Sequence, residues 1–177
     1  MTFDTHGGTR GAPAARPNER EQTVLIDGVV LNRTAVVGDE RGVILELIDL
    51  RQDYWAAGAP YIYMGSCRPR KAKGWGLHKT HDDRYMVLSG EMLLALYDDR
   101  DDSATKGVVQ EFYLTRDGLN QVTIPKGIWH AHMNLGITDL LFANAPTIAY
   151  DHANPDKWTL PLVNDVIPYT FNVELGH

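Results

Sequence analysis

From Thr23 onward the chain is a succession of short apolar runs, each rich in β-branched, aromatic and aliphatic residues and each bounded by Gly, Pro, Asn or Asp. They read TVLIDGVVLN, GVILELIDL, PYIYMGSC, RYMVLSG, EMLLALYDD, VVQEFYLT, NQVTIP, HAHMNL and DLLFANAP. Runs this short, punctuated this often, suit strands and turns and leave little room for helices. Only ELIDLRQDYWA at 46–56 approaches a helical stripe, and its start is too β-branched to favour one. Strand–turn alternation from 23 to 170 predicts an all-β sandwich or barrel, with VLSGEMLLAL turning at Ser89-Gly90-Glu91. The closing stretch YDHANPDKWTLPLVNDVIPYTF, rich in Pro, Asn and Asp, is expected to wrap over the barrel as ordered loops. Residues 1–21 carry Gly, Ala, Pro, Thr and Arg without apolar periodicity, which predicts a flexible tail ahead of a single domain over 22–177.

A chain of 177 residues with 44% hydrophobic content can bury one sizeable core. The formal charge of -6 gives no footprint for nucleic acid or an anionic membrane, although the short RPRKAK at 68–73 can meet one anionic small molecule. No apolar run nears the roughly 20 residues of a membrane span, and no secretion signal is visible. The single cysteine, Cys67, excludes an internal disulfide and a Cys-based zinc site, and fits a reducing cytoplasm.

Two stretches concentrate titratable groups. In IPKGIWHAHMNLG at 124–136, the pattern Pro125-x-Gly127-x-x-His130-x-x-x-Asn134 has the spacing of the second motif of the cupins, double-stranded β-helix (jelly-roll) barrels in which a Pro-Gly turn delivers a histidine into the barrel mouth. Residues two apart on a strand share a face, so His130 and His132 should point one way and Trp129 and Met133 the other. In GWGLHKTHDDRYMVLSGE at 74–91, Asp83 stands seven residues before Gly90, where the first cupin motif has a glutamate. His78 falls near the motif's second histidine, and the first is Gly76. His81, three residues from His78, has the opposite parity on an extended strand, so both could meet one ion only through a bulge. His78, Asp83 and His130 could bind zinc, iron or manganese. The missing ligand at Gly76 argues against a stoichiometric metal. An acid/base role asks for less: one histidine in an apolar barrel with a carboxylate to orient it. Each of these histidines can also be a hydrogen-bonded core residue.

The order and spacing of DERG (39–42), GLH (76–78), LSGE (88–91), DDSATKG (101–107) and IPKGIWH (124–130) resemble the dTDP-4-dehydrorhamnose 3,5-epimerase family of cupins over about residues 36–150. The resemblance implies a jelly-roll homodimer that needs no metal or other cofactor and acts on a nucleotide-linked 4-keto-6-deoxysugar. It makes His78 the base that removes the proton beside the ketone, Arg41 a diphosphate contact and His130 a wall of the sugar pocket. The chain departs from the family at Trp75 (arginine in the family), Asp83 (lysine) and Phe142 (the general-acid tyrosine). Asp165 is the stand-in for the family's C-terminal aspartate that orients the base. Lys79 or Arg84 could supply the missing cation, and Tyr85, Tyr63 or Tyr150 the missing acid. With His132, these residues make up the expected substrate surroundings. An epimerase or isomerase is the first reading; a metal-dependent cupin enzyme and a non-catalytic sugar-binding cupin are the alternatives.

Overall fold

The computed structural model describes residues 22–171, so the expected tail at 1–21 lies outside the described residues. The strands are β1 (Val30–Asn32), β2 (Val36–Asp39), β3 (Gly42–Leu45), β4 (Tyr63–Cys67), β5 (Ala72–Leu77), β6 (Asp83–Ser89), β7 (Glu91–Asp98), β8 (Val109–Thr115), β9 (Gln121–Ile124), β10 (Ile128–Asn134), β11 (Leu140–Asn144) and β12 (Trp158–Leu160). They form two five-stranded antiparallel sheets, β1-β9-β6-β11-β4 and β12-β5-β10-β7-β8, and a separate hairpin of β2 and β3. The all-β jelly-roll expectation holds.

Some runs form less strand than their composition suggests. TVLIDGVVLN pairs only over Val30–Asn32, and GVILELIDL leaves the ladder after Leu45. ELIDLRQDYWA becomes a loop ending in one 3-10 turn, Asp53–Trp55, whose Trp55 is buried. Conversely, the glycine-bearing AKGWGL forms β5, a strand that composition alone disfavours. It holds because β10 and β12 pair with both its edges. The closing segment wraps as loops apart from the three residues of β12.

Strand parity builds the core. Met92, Leu94 and Leu96 of β7 face inward with Phe112, Leu114, Val122, Ile124, Ile128 and Phe142, while Ala95 and Ala131 face outward under Trp75 and Ile167. Along β10 the inward positions are Ile128, His130, His132 and Asn134, all buried. On the inner face the two histidines of β10 thus stand mid-strand, directly beside Leu96 and Leu94 of β7.

The β7–β8 connection is organised by the fully buried carboxylate of Asp98, which accepts from Arg100 at 2.8 and 2.9 Å, Ser103 at 2.6 Å and Thr105 at 2.7 Å. Desolvation pushes its pKa up, but these donors outweigh it and hold the carboxyl far below the ordinary 3.8. Asp98→Ala is expected to cost about 2–4 kcal/mol at pH 7, read as a lower urea midpoint. Because the folded pKa is depressed, this stabilisation is present in full above the unfolded value and fades as the pH falls towards the folded one. The gap between wild type and variant should therefore narrow below about pH 4.

Candidate active site

The inner face around the histidines opens into a pocket of about 510 Å³, within the size range of small-molecule sites. Its wall includes His78, His81, Asp83, Tyr85, His130, His132 and Phe142, with Tyr61, Tyr63 and Tyr150 among its aromatic residues.

His78 follows the last residue of β5, and both its ends are fixed. Its carbonyl accepts from the Gly127 N–H at 2.7 Å, in the Pro125-Lys126-Gly127 turn, where Gly127 has the positive φ of 82° that favours glycine. Its ring Nδ1 meets the Asp156 carbonyl at 2.5 Å. A carbonyl can only accept, so Nδ1 carries the proton and Nε2 is the basic nitrogen.

The chain then turns. The Asp156 carboxylate accepts from the Lys79 N–H at 2.9 Å, the Thr80 N–H at 2.8 Å and the Thr80 hydroxyl at 2.6 Å. These donors hold the Asp156 pKa down to about 2 against the upward push of burial. The turn overrides the parity expected of an extended strand: His81 swings back and stacks on His78, ring centroids 4.3 Å apart. Both face the pocket.

Asp83 and Tyr85 of β6 point into the pocket, and Asp83 joins the histidines. Its Oδ2 lies 3.3 Å from His78 Nε2 and 3.4 Å from His130 Nε2, and its Oδ1 lies 3.7 Å from His81 Nε2. Oδ1 also accepts from Asn144 Nδ2 at 2.7 Å. The orientation of that amide follows from its neighbours, since the Arg84 N–H donates to Asn144 Oδ1 at 2.9 Å. Asn144 Nδ2 also reaches Tyr63 Oη at 3.0 Å. As the nitrogen donates there, the phenol's own proton is left free for the pocket.

Burial and charge separate the four histidines. Desolvation pulls His78 down, but Asp83 and Asp156 outweigh it and leave its pKa above the ordinary value. Desolvation, reinforced by His78, lowers His81. Burial likewise lowers His130 despite Asp83, and takes His132 down to about 3. Desolvation also opposes ionisation of Asp83, yet His78, His130 and Asn144 keep its carboxyl below 3.8. Burial raises the phenols of Tyr63 and, more strongly, Tyr85.

Of the residues singled out in the sequence, His78, Asp83, Tyr85, His130 and His132 converge on the pocket, and Arg41, Lys79, Arg84 and Asp165 do not line it. Arg84 faces the other side of β6, where it donates to the Ala145 and Gly58 carbonyls and lies over Trp55. Lys79 covers the Trp158 ring at 4.0 Å. Asp165 is exposed in the C-terminal wrap, and the group that meets His78 Nδ1 is the Asp156 carbonyl instead. Arg41 caps the β2–β3 hairpin with its side chain 82% exposed, paired to Asp39.

Lys73, Asn144 and Asp156 were missed by sequence reasoning. Lys73 reaches the pocket through an irregularity in β5: His130 pairs with Gly76 but His132 with Lys73, so three residues on β5 match two on β10. Its position in RPRKAK was the signal available. Asn144 and Asp156 offered none beyond their polarity.

Residues 23–155 match the dTDP-4-dehydrorhamnose 3,5-epimerase family. The chain belongs to that family. It is 30% identical over 154 residues to the spore coat polysaccharide biosynthesis protein SpsL of Bacillus subtilis, covering 85% of this chain and 99% of that one. It is 28% identical to a probable low-salt glycan biosynthesis epimerase of Haloferax volcanii, covering 85% and 97%. A dTDP sugar isomerase from Desulfovibrio desulfuricans superposes with a TM-score of 0.77 at 25% identity, covering 84% of this chain and 94% of that chain. The fold also matches a dTDP-4-dehydrorhamnose 3,5-epimerase from Bacillus anthracis with TDP and PPi bound (TM-score 0.69, 17% identity, 84% and 87% covered).

This member of the epimerase family differs from the expected pattern in ways its packing explains. Trp75 is buried outside the pocket, edge-on to Tyr169, so no cation enters from that position. Phe142 does line the pocket, its ring so close over Gly65 that a Cβ there would stand 2.5 Å from it.

Proposed function

We propose that this epimerase inverts a carbon beside the ketone of a nucleotide-linked 4-keto-6-deoxysugar, with His78 as the base. The observation that carries the reading is that His78 Nδ1 is committed to the Asp156 carbonyl while Nε2 faces the pocket beside Asp83. On taking the α-proton, His78 becomes an imidazolium next to a carboxylate, which favours the charged product of the transfer. Lys73 offers positive charge to the enolate oxygen, in place of the family's lysine. Tyr63, its hydroxyl proton directed away from Asn144, returns a proton in place of the family's tyrosine.

The enzyme acts as a homodimer in this reading. The β2–β3 hairpin presents Val37, Val43 and Ile44 to solvent together with Arg41, and β4 is a sheet edge beside the pocket. A second copy's hairpin can cover that edge and bring its arginine to the diphosphate. The lone, buried Cys67 suits the cytoplasm as the compartment.

The test is solvent exchange. In D2O, the protein is expected to introduce deuterium beside the ketone of dTDP-4-keto-6-deoxyglucose, followed by NMR. Arg41→Ala should weaken dTDP binding by about 10-fold or more, consistent with loss of a charge-assisted contact. Tight dTDP-sugar binding with no exchange for any dTDP-4-keto-sugar would leave a binding protein in place of an epimerase.

A further inference from the structure

The orientation of the pocket imidazoles raises a separate question. His130 Nδ1, like that of His78, faces a backbone carbonyl, that of Ile128 at 3.2 Å. In neutral imidazoles held this way, both Nε2 atoms present lone pairs, and both face the same carboxylate oxygen. Asp83 Oδ2 is buried and receives no hydrogen bond from the described residues. With both rings neutral, three electron-pair donors converge on one point, and a cation there takes the place of the proton that the Asp83 carboxylate otherwise draws onto His78.

We propose that His78 Nε2, Asp83 Oδ2 and His130 Nε2 form a binding site for a divalent first-row transition ion, zinc fitting it well. The three donor atoms lie within 4.8 Å of one another. Two of the edges, 3.3 and 3.4 Å, match the roughly 3.3–3.4 Å between ligands of a tetrahedral ion with bonds of about 2.0–2.1 Å. The third edge, between the two imidazole nitrogens, is at most 4.8 Å and has to close as the rings turn onto the ion.

The surroundings also fit. Metal-bound histidines usually donate their other ring N–H to a carbonyl or carboxylate, as both rings do here, and Asn144 orients the carboxylate through Oδ1. Three protein ligands leave a fourth position open to the pocket. The missing ligand noted at Gly76 has a steric reason: a Cβ there would stand 3.3 Å from His130 Nε2, so a larger residue would crowd the ring that binds the ion. The other nearby group, His78, His81 and Asp156, is less suitable because the Asp156 carboxylate is already taken by Lys79 and Thr80.

This inference shares its side chains with the proposed epimerase reading. An ion on His78 Nε2 occupies the lone pair that would take the proton, so loading should suppress exchange and chelation should restore it.

The experiment titrates zinc chloride into chelator-treated protein by calorimetry, and cobalt(II) chloride under visible absorption. One equivalent of zinc is expected at micromolar affinity or tighter, with cobalt d–d bands of a low-coordinate site. Asp83→Asn and His130→Gln should each weaken binding at least about 100-fold, while His132→Gln should retain it; circular dichroism and melting curves confirm that the variants fold. Binding no tighter than millimolar, or unchanged in folded Asp83→Asn, overturns the site while the epimerase reading stands. Tight zinc binding with exchange unchanged or increased supports the site and overturns His78 as the base.

Discussion

His78→Asn is expected to abolish exchange of the sugar's α-protons with solvent, by at least the roughly 100-fold typical of losing a general base, while leaving dTDP affinity near wild type. Asparagine can still donate to the Asp156 carbonyl, so the turn at 79–80 and its contacts with Asp156 should survive. What disappears is a nitrogen able to hold a proton at neutral pH. The measurement is deuterium incorporation by NMR on chelator-treated protein, with dTDP affinity from calorimetry. Full exchange in a folded His78→Asn protein would rule His78 out as the base. His81→Asn should be next in effect, because the stacked ring packs on the base and lies 3.7 Å from Asp83.

Tyr63→Phe is expected to separate exchange from inversion. The substitution keeps the ring and removes only the hydroxyl, and Asn144 Nδ2 retains its bond to Asp83. Proton removal by His78 should continue, and the enolate can regain a proton from the same side, so deuterium still enters. Delivery from the phenol is lost, and formation of the inverted sugar should fall by about 100-fold or more. NMR of the product sugar resolves the two outcomes. Unchanged inversion would transfer the role to Tyr85 or Tyr150, the other pocket tyrosines weighed for it.

The barrel was legible in the sequence because alternating burial writes itself into strands such as β8, where exposed and buried residues alternate through Phe112 and Leu114. It also showed in the paired histidines of β10, whose two-residue spacing put His130 and His132 on the inner face. Legibility failed where the backbone leaves the ideal strand. Parity assigned His81 to the wrong side because the turn that redirects it is held by Asp156, 75 residues further along the chain. Lys73 was hidden by the extra residue in β5. Arg84 looked like a free cation until its neighbour Trp55 and the Ala145 carbonyl claimed it on the far face of β6. Spacing records which face a residue takes only while the ladder is regular; distant loops and bulges decide the rest.

The Asn144 amide ties two otherwise separate parts of the pocket into one mechanical unit. Its nitrogen spans the carboxylate of Asp83 on β6 and the phenol of Tyr63 on β4, and its oxygen is pinned by the Arg84 backbone. Positions 63, 83 and 144 are therefore not free to drift independently over evolutionary time. An aspartate at 144 would set two carboxylates against each other, and a leucine would release both side chains at once. Divergent relatives that change one of the three are expected to change the others with it, and that covariation would be visible in an alignment before any activity is measured.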